Sequence, residues 1–131
     1  MDDFPKAALK HLEDARALRD EQRFDGAAYL AGYVAECALK TVIEVENAQV
    51  PRIHDLNDLK KRVDTLAALA GPRTGRLYIA ATRSLLQVLA WRPEMRYRSP
   101  YVTESVAVAW MREAESIYRR IIGNLTLAGT I

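Results

Sequence analysis

Two groups of residues carry the side chains best suited to chemistry. The first is the run Trp91–Tyr101, WRPEMRYRSPY, which sets Arg92, Arg96 and Arg98 among Trp91, Tyr97 and Tyr101. A guanidinium is a planar fork of N–H donors that matches a phosphate, and flat rings stack on unpaired bases. The plainer reading is a loop whose arginines are solvated or paired with Glu36, Glu94 or Glu104, and whose Trp91 caps a core. The second group is Tyr29, Tyr33, Glu36, Lys40 and Glu44, at i, i+4, i+7, i+11 and i+15, a polar stripe on a segment otherwise apolar nearly all round. Glu36–Lys40 and Lys40–Glu44 have the spacing of helix ion pairs worth about 0.2–0.5 kcal/mol each. On a helix surrounded by apolar residues, however, such a stripe must face a partner or a groove.

The remaining reactive side chains form no familiar motif. The two histidines, His11 and His54, stand in no nucleophile motif. His11 falls on the charged face of the first helix and reads as a surface residue; His54, before Asp55 at a helix start, reads as a capping or packing residue. The single Cys37 lies in an apolar stretch and reads as a structural thiol. The six glycines are scattered, so no phosphate-cradling loop is present. No His/Glu spacing suits a metal, and no cofactor is expected.

Helices must position these groups. Phe4, Ala8, Leu12, Ala15 and Leu18 form one stripe of a first helix from about Phe4 to Glu21, with Pro5 in its first turn. Asp25-Gly26 reads as a turn, and the apolar second helix runs from about Ala27 to Asn47. A third begins near His54-Asp55, carries Leu56, Leu59, Val63, Leu66 and Ala70, and stops at Gly71-Pro72. A fourth spans about Gly75 to Ala90. Trp91–Pro100, with two prolines and no apolar period, reads as irregular. The last helix starts near Thr103, an N-cap residue type, and buries Val106, Trp110, Ile117 and Ile121. The tail from Gly123 is expected to fray. No alternating segment competes as a strand. The expected fold is therefore all-α, an up-and-down bundle of four long helices plus a shorter one, forming one domain over residues 1–131.

Composition agrees. The chain has 131 residues, 50% hydrophobic and 27% charged, enough to bury a single core. A net charge of +2 excludes a generally basic nucleic-acid coat or a polybasic membrane binder. One cysteine forms no intrachain disulfide, the charged N-terminal stretch lacks a signal-peptide pattern, and no apolar run would span a membrane, so a cytoplasmic protein is expected. The charge is nevertheless uneven: residues 1–50 carry −4 and residues 51–98 carry +6.

The order of segments HLEDARAL (His11–Leu18), AGYVAECALKTVIE (Ala31–Glu44), HDLNDL (His54–Leu59) and W-x4-RY (Trp91, Arg96, Tyr97) resembles the HEPN domain family. The resemblance implies an all-α bundle of four to five helices, commonly a homodimer, found beside minimal nucleotidyltransferases and in RNA-processing and defence proteins. Many members resemble metal-independent ribonucleases with an Arg-x4–6-His signature near the start of the last helix. There, arginine would hold the scissile phosphate and histidine would move the proton. Arg96 or Arg98 matches the arginine, but no histidine follows His54, and after four intervening residues from Arg96 the chain has Tyr101. A tyrosine hydroxyl is a poor general base at neutral pH. The expectation is a non-catalytic, homodimeric module of the toxin–antitoxin or defence kind. It would bind RNA, a nucleotide or a nucleotidyltransferase-type partner through Arg96, Arg98, Tyr97, Tyr101, Glu36, Lys40 and Tyr33. The rivals are a divergent ribonuclease, using Arg96 with Tyr101 or recruiting His54, and a purely structural dimerisation scaffold.

Overall fold

The computed structural model describes residues 2–97 and 102–131, with Arg96 and Tyr97 as backbone only. It is all-helical, with no strand among the described residues. Helix α1 (Phe4–Asp20) opens with Asp3, whose carboxylate accepts the Lys6 N–H at 3.1 Å, and with Pro5 in its first turn. The chain reverses through Gln22 at φ 62° into α2 (Phe24–Val45), which packs along α1. α2 is the centre of the bundle, touching α1, α3 (Leu56–Leu69), α5 (Glu104–Ile117) and the turns between α4 (Pro72–Arg83) and α5. Its residues from Val34 to Ile43 are all buried, as a helix apolar on most sides must be to satisfy the hydrophobic effect. α3 begins where Asp55 accepts the backbone N–H groups of Asn57 and Asp58, at 2.8 and 3.2 Å. α3 and α4 are separated by Gly71, whose φ of +87° suits a residue without Cβ, followed at once by Pro72. Thr103 caps α5, accepting the Val106 N–H at 3.3 Å.

The expected all-α bundle is present, with four local differences. Asp25-Gly26 is not a turn but the first turn of α2, where the Asp25 carboxylate accepts the Val102 N–H at 2.9 Å. The fourth helix ends at Arg83, not Ala90, because the chain breaks at Leu86 and the Glu113 carboxylate of α5 takes the N–H groups of Leu86, Gln87 and Val88 at 2.6, 3.0 and 3.1 Å. The stretch read as irregular contains a 3-10 turn, Pro93–Tyr97. The tail does not fray at Gly123. A π-turn at Tyr118–Gly123 leads directly into α6 (Asn124–Leu127). The wider turn rotates the helix face so that Ile117, Ile121, Ile122 and Leu125 all reach the core.

Candidate functional site

The polar stripe of α2 divides by depth. Tyr29 and Tyr33 are half-buried, Glu36 and Lys40 are buried at 5% and 6% exposure, and Glu44 is exposed. A carboxylate and an ammonium at that depth require partners, because a lone buried charge is strongly unfavourable. Lys40 Nζ donates to Glu36 Oε2 at 3.2 Å and lies 5.9 Å from the centre of the Phe4 ring on α1. The other carboxylate oxygen, Oε1, accepts from His54 Nδ1 at 2.9 Å. His54 itself keeps 54% of its side chain exposed, so it is the solvent-facing end of a Lys40–Glu36–His54 chain.

The loop before α3 thus has two tasks. His54 engages Glu36, while the next residue, Asp55, caps α3 and pairs with Arg92 Nη2 at 3.5 Å. The Asp58 N–H, more than the Arg92 charge, holds the Asp55 carboxyl below the usual carboxylate range. Arg92 Nη1 also donates to the carbonyls of Leu89 and Trp91, at 3.0 and 2.7 Å, and Asn57 Nδ2 donates to Leu89 at 3.2 Å. With the Glu113 carboxylate on the preceding N–H groups, these bonds fix the start of the arginine–tyrosine segment from two sides.

Trp91 completes the anchoring. It is fully buried and lies against Gly32 so closely that a Cβ on Gly32 would overlap the indole. The indole meets the Tyr33 ring edge-on, with centroids 4.8 Å apart and planes at 73°. Its N–H is buried with no hydrogen-bond acceptor among the described residues. Tyr29 and Tyr33 share a hydroxyl–hydroxyl hydrogen bond of 3.1 Å. The 3-10 turn Pro93–Tyr97 packs on α2, and the chain returns at Val102, held by Asp25. The backbone of Arg96 and Tyr97 is therefore on the α2 side of the molecule. Their side chains, and Arg98 and Tyr101 entirely, lie outside the described residues.

His11 is the residue the sequence reading misplaced. It is half-buried rather than a free surface group, with its ring 5.4 Å from that of Tyr33 and the planes 31° apart. Burial first, and the Lys10 charge second, lower its pKa from the ordinary histidine value, against the opposing pull of Asp14 and Glu36. The available signal was its position seven residues after Phe4, which on a helix is only about 20° away from that inward-facing ring. Cys37 is buried, and burial pushes its thiol up to about 12, so it is inert at neutral pH. Among the described residues no group of three or more His, Cys, Asp or Glu side chains could hold a metal ion. A surface groove of about 770 Å³ lies between α3 and α4, and none of its lining residues belongs to the Glu36 cluster.

The HEPN domain family model matches residues 1–125, nearly the whole chain. The chain belongs to the HEPN domain family. No curated protein and no solved structure matches it. Membership places this HEPN domain among proteins of nucleotide- and RNA-related function, which often dimerise and bind nucleic acids. No helix of its described residues is long and apolar enough to cross a membrane. In this HEPN domain the histidine of the Arg-x4–6-His pattern is missing after Arg96 and Arg98, and its two histidines contact the α2 stripe instead, His11 at Tyr33 and His54 at Glu36.

Proposed function

We propose that this HEPN domain is a non-catalytic module that binds RNA or a nucleotide by its phosphate groups, on the face where the Pro93–Tyr97 turn meets α2. The observation that carries this reading is the packing of that turn on α2, anchored by Trp91 against Gly32 and Tyr33. The anchor, Trp91, touches Tyr33 of the polar stripe, and the chain that follows it carries Arg96 and Arg98 in its sequence. Arg96 and Arg98 contact phosphate, Tyr97 and Tyr101 stack or pack beside them, and Glu36 with Lys40 and Tyr33 forms the wall behind. The module acts as a homodimer, with a nucleotidyltransferase-type protein as its partner in a toxin–antitoxin or defence pair. Direct binding of labelled single-stranded RNA tests the reading. Affinity falls steeply between 50 and 200 mM salt, as counterion release requires, and drops further in an Arg96→Ala/Arg98→Ala double variant. Salt-independent binding, or an unaffected double variant, refutes it. Absence of any RNA or nucleotide affinity favours a scaffold.

One observation favours a second reading, a divergent metal-independent ribonuclease. The His54 imidazole is oriented by a buried carboxylate, the arrangement that fixes a histidine's tautomer and supports proton transfer. Incubation of mixed RNA with chelator decides between the two. Cleavage that vanishes in both His54→Ala and Arg96→Ala establishes the enzyme; intact RNA leaves the binding module.

A further inference from the structure

We propose that the groove between α3 and α4 is a docking site for an acidic amphipathic helix of a partner protein. The site shares no residue with the RNA-facing turn and stands independently of it. α3 and α4 run antiparallel on either side of Gly71, and they approach closely: a Cβ on Gly75 would stand 2.5 Å from the Ala67 carbonyl oxygen. Large side chains that could fill the groove are missing. Its floor is Ala67, Ala68, Gly75, Ile79 and Ala80, which leaves a mostly apolar trough of about 770 Å³. Ala68 and Ala80 are exposed, and beside them at the end of α3 Leu69 is 80% exposed. A trough along two packed helices, floored by small residues, has the shape that receives a third helix.

The charges around the trough define what that helix carries. Arg76 and Arg83 line it, are exposed, and form no ion pair among the described residues. They are seven residues apart on α4, two turns and about 10 Å along one face. The acid in the lining is already committed: Asp64 accepts from the Lys60 ammonium on Oδ2 at 3.1 Å and from the Thr82 hydroxyl on Oδ1 at 2.6 Å. α4 itself holds no acid, and its N-cap, Gly71, supplies no side-chain acceptor to the first turn. Two unpaired guanidinium forks beside an apolar floor complement a helix with small apolar residues on one face and acids seven apart at its edge. RNA fits less well, because the described lining holds no aromatic ring on which a base could stack. A second copy of the chain also fits less well. Its α1 carries four Lys and Arg against three Asp and Glu, and the apolar face of that helix is buried in its own bundle.

The test measures binding of a labelled helical peptide of about eighteen residues, five turns, by fluorescence anisotropy on the full chain. One face of the peptide is Ala and Leu, bordered by Glu residues seven apart. The Glu peptide binds, and the same peptide with Lys in place of Glu does not. Arg76→Glu/Arg83→Glu weakens the Glu peptide by about 10-fold or more and creates affinity for the Lys peptide. Ala68→Trp, at an exposed position of the floor, blocks the Glu peptide while the urea midpoint stays at the parent value. Equal affinity for the two peptides, binding of neither, or Glu-peptide binding untouched by both variants overturns the proposal. Displacement of the Glu peptide by single-stranded RNA, with RNA binding lost in the Arg76→Glu/Arg83→Glu variant, assigns the groove to nucleic acid and overturns it. A dimer in sedimentation that becomes a monomer in Ala68→Trp assigns the groove to a second copy and overturns it as well.

Discussion

His54 Nδ1 donates to Glu36 Oε1 at 2.9 Å, although the two residues are 18 positions apart and belong to different elements. Glu36 also holds Lys40, and both side chains are almost closed to water. Glu36→Ala leaves the Lys40 ammonium buried and unpaired, and should lower stability by about 3–5 kcal/mol. Glu36→Gln, which still accepts a hydrogen bond, should cost less. Urea unfolding measures both; a Glu36→Ala loss below about 1 kcal/mol would contradict the buried pair.

Gly32 and Trp91 occupy one another's space. Gly32→Ala should cost about 1–3 kcal/mol as an overpacked contact, and it should push the indole away from Tyr33. Near-ultraviolet circular dichroism and tryptophan fluorescence report that displacement. An unchanged spectrum with parental stability would show that the contact is looser than described.

Glu113 anchors three N–H groups at the break after α4. Glu113→Ala removes the carboxylate that accepts from these three N–H donors and should destabilise the protein by about 1–3 kcal/mol. The local effect should be larger than the global one. Limited proteolysis of the segment around residues 86–97 should accelerate, while cleavage within α1 and α2 should not.

Stability should depend on pH through His11. Its pKa is lower in the folded chain than the ordinary value near 6.5, so the unfolded chain binds the proton more readily. The stabilising contribution is complete above the unfolded value and is lost as pH falls through the folded one. Unfolding midpoints should therefore fall on acidification from pH 7.5 to below 6, and His11→Phe should flatten that part of the profile. Asp55, whose folded pKa is also depressed, acts in the same direction but at lower pH, below about 4. A His11→Phe profile identical to the parent's would exclude this origin.

Much of the fold was legible locally. The nearly continuous apolar surface between Leu30 and Val45 identified α2 as the central helix, and Thr103 marked the last helix start by its side-chain oxygen, whereas the cap of α3 is Asp55 rather than His54. Asp25-Gly26 misled because the reversal was taken by Gln22, a residue that rarely adopts positive φ, while Asp25 served a contact with Val102. The end of α4 was hidden because its cause, Glu113, lies on another helix. The tail was misread because a π-turn shifts the helical face, and no fixed 3.6-residue period shows such a shift.

By itself the sequence determined which segments are helical, which faces are apolar, and that one polar stripe crosses the greasiest helix. Those properties depend on neighbours three or four residues away. Tertiary structure alone decided that His54 and Lys40 share Glu36, that the His11 ring meets the Tyr33 ring at a tilt, and that Trp91 fills the notch at Gly32. Each of these pairings except Lys40–Glu36 joins separate elements. The burial of charge and ring surface demands a partner without specifying its place in the chain, and only the packing of whole helices supplies it.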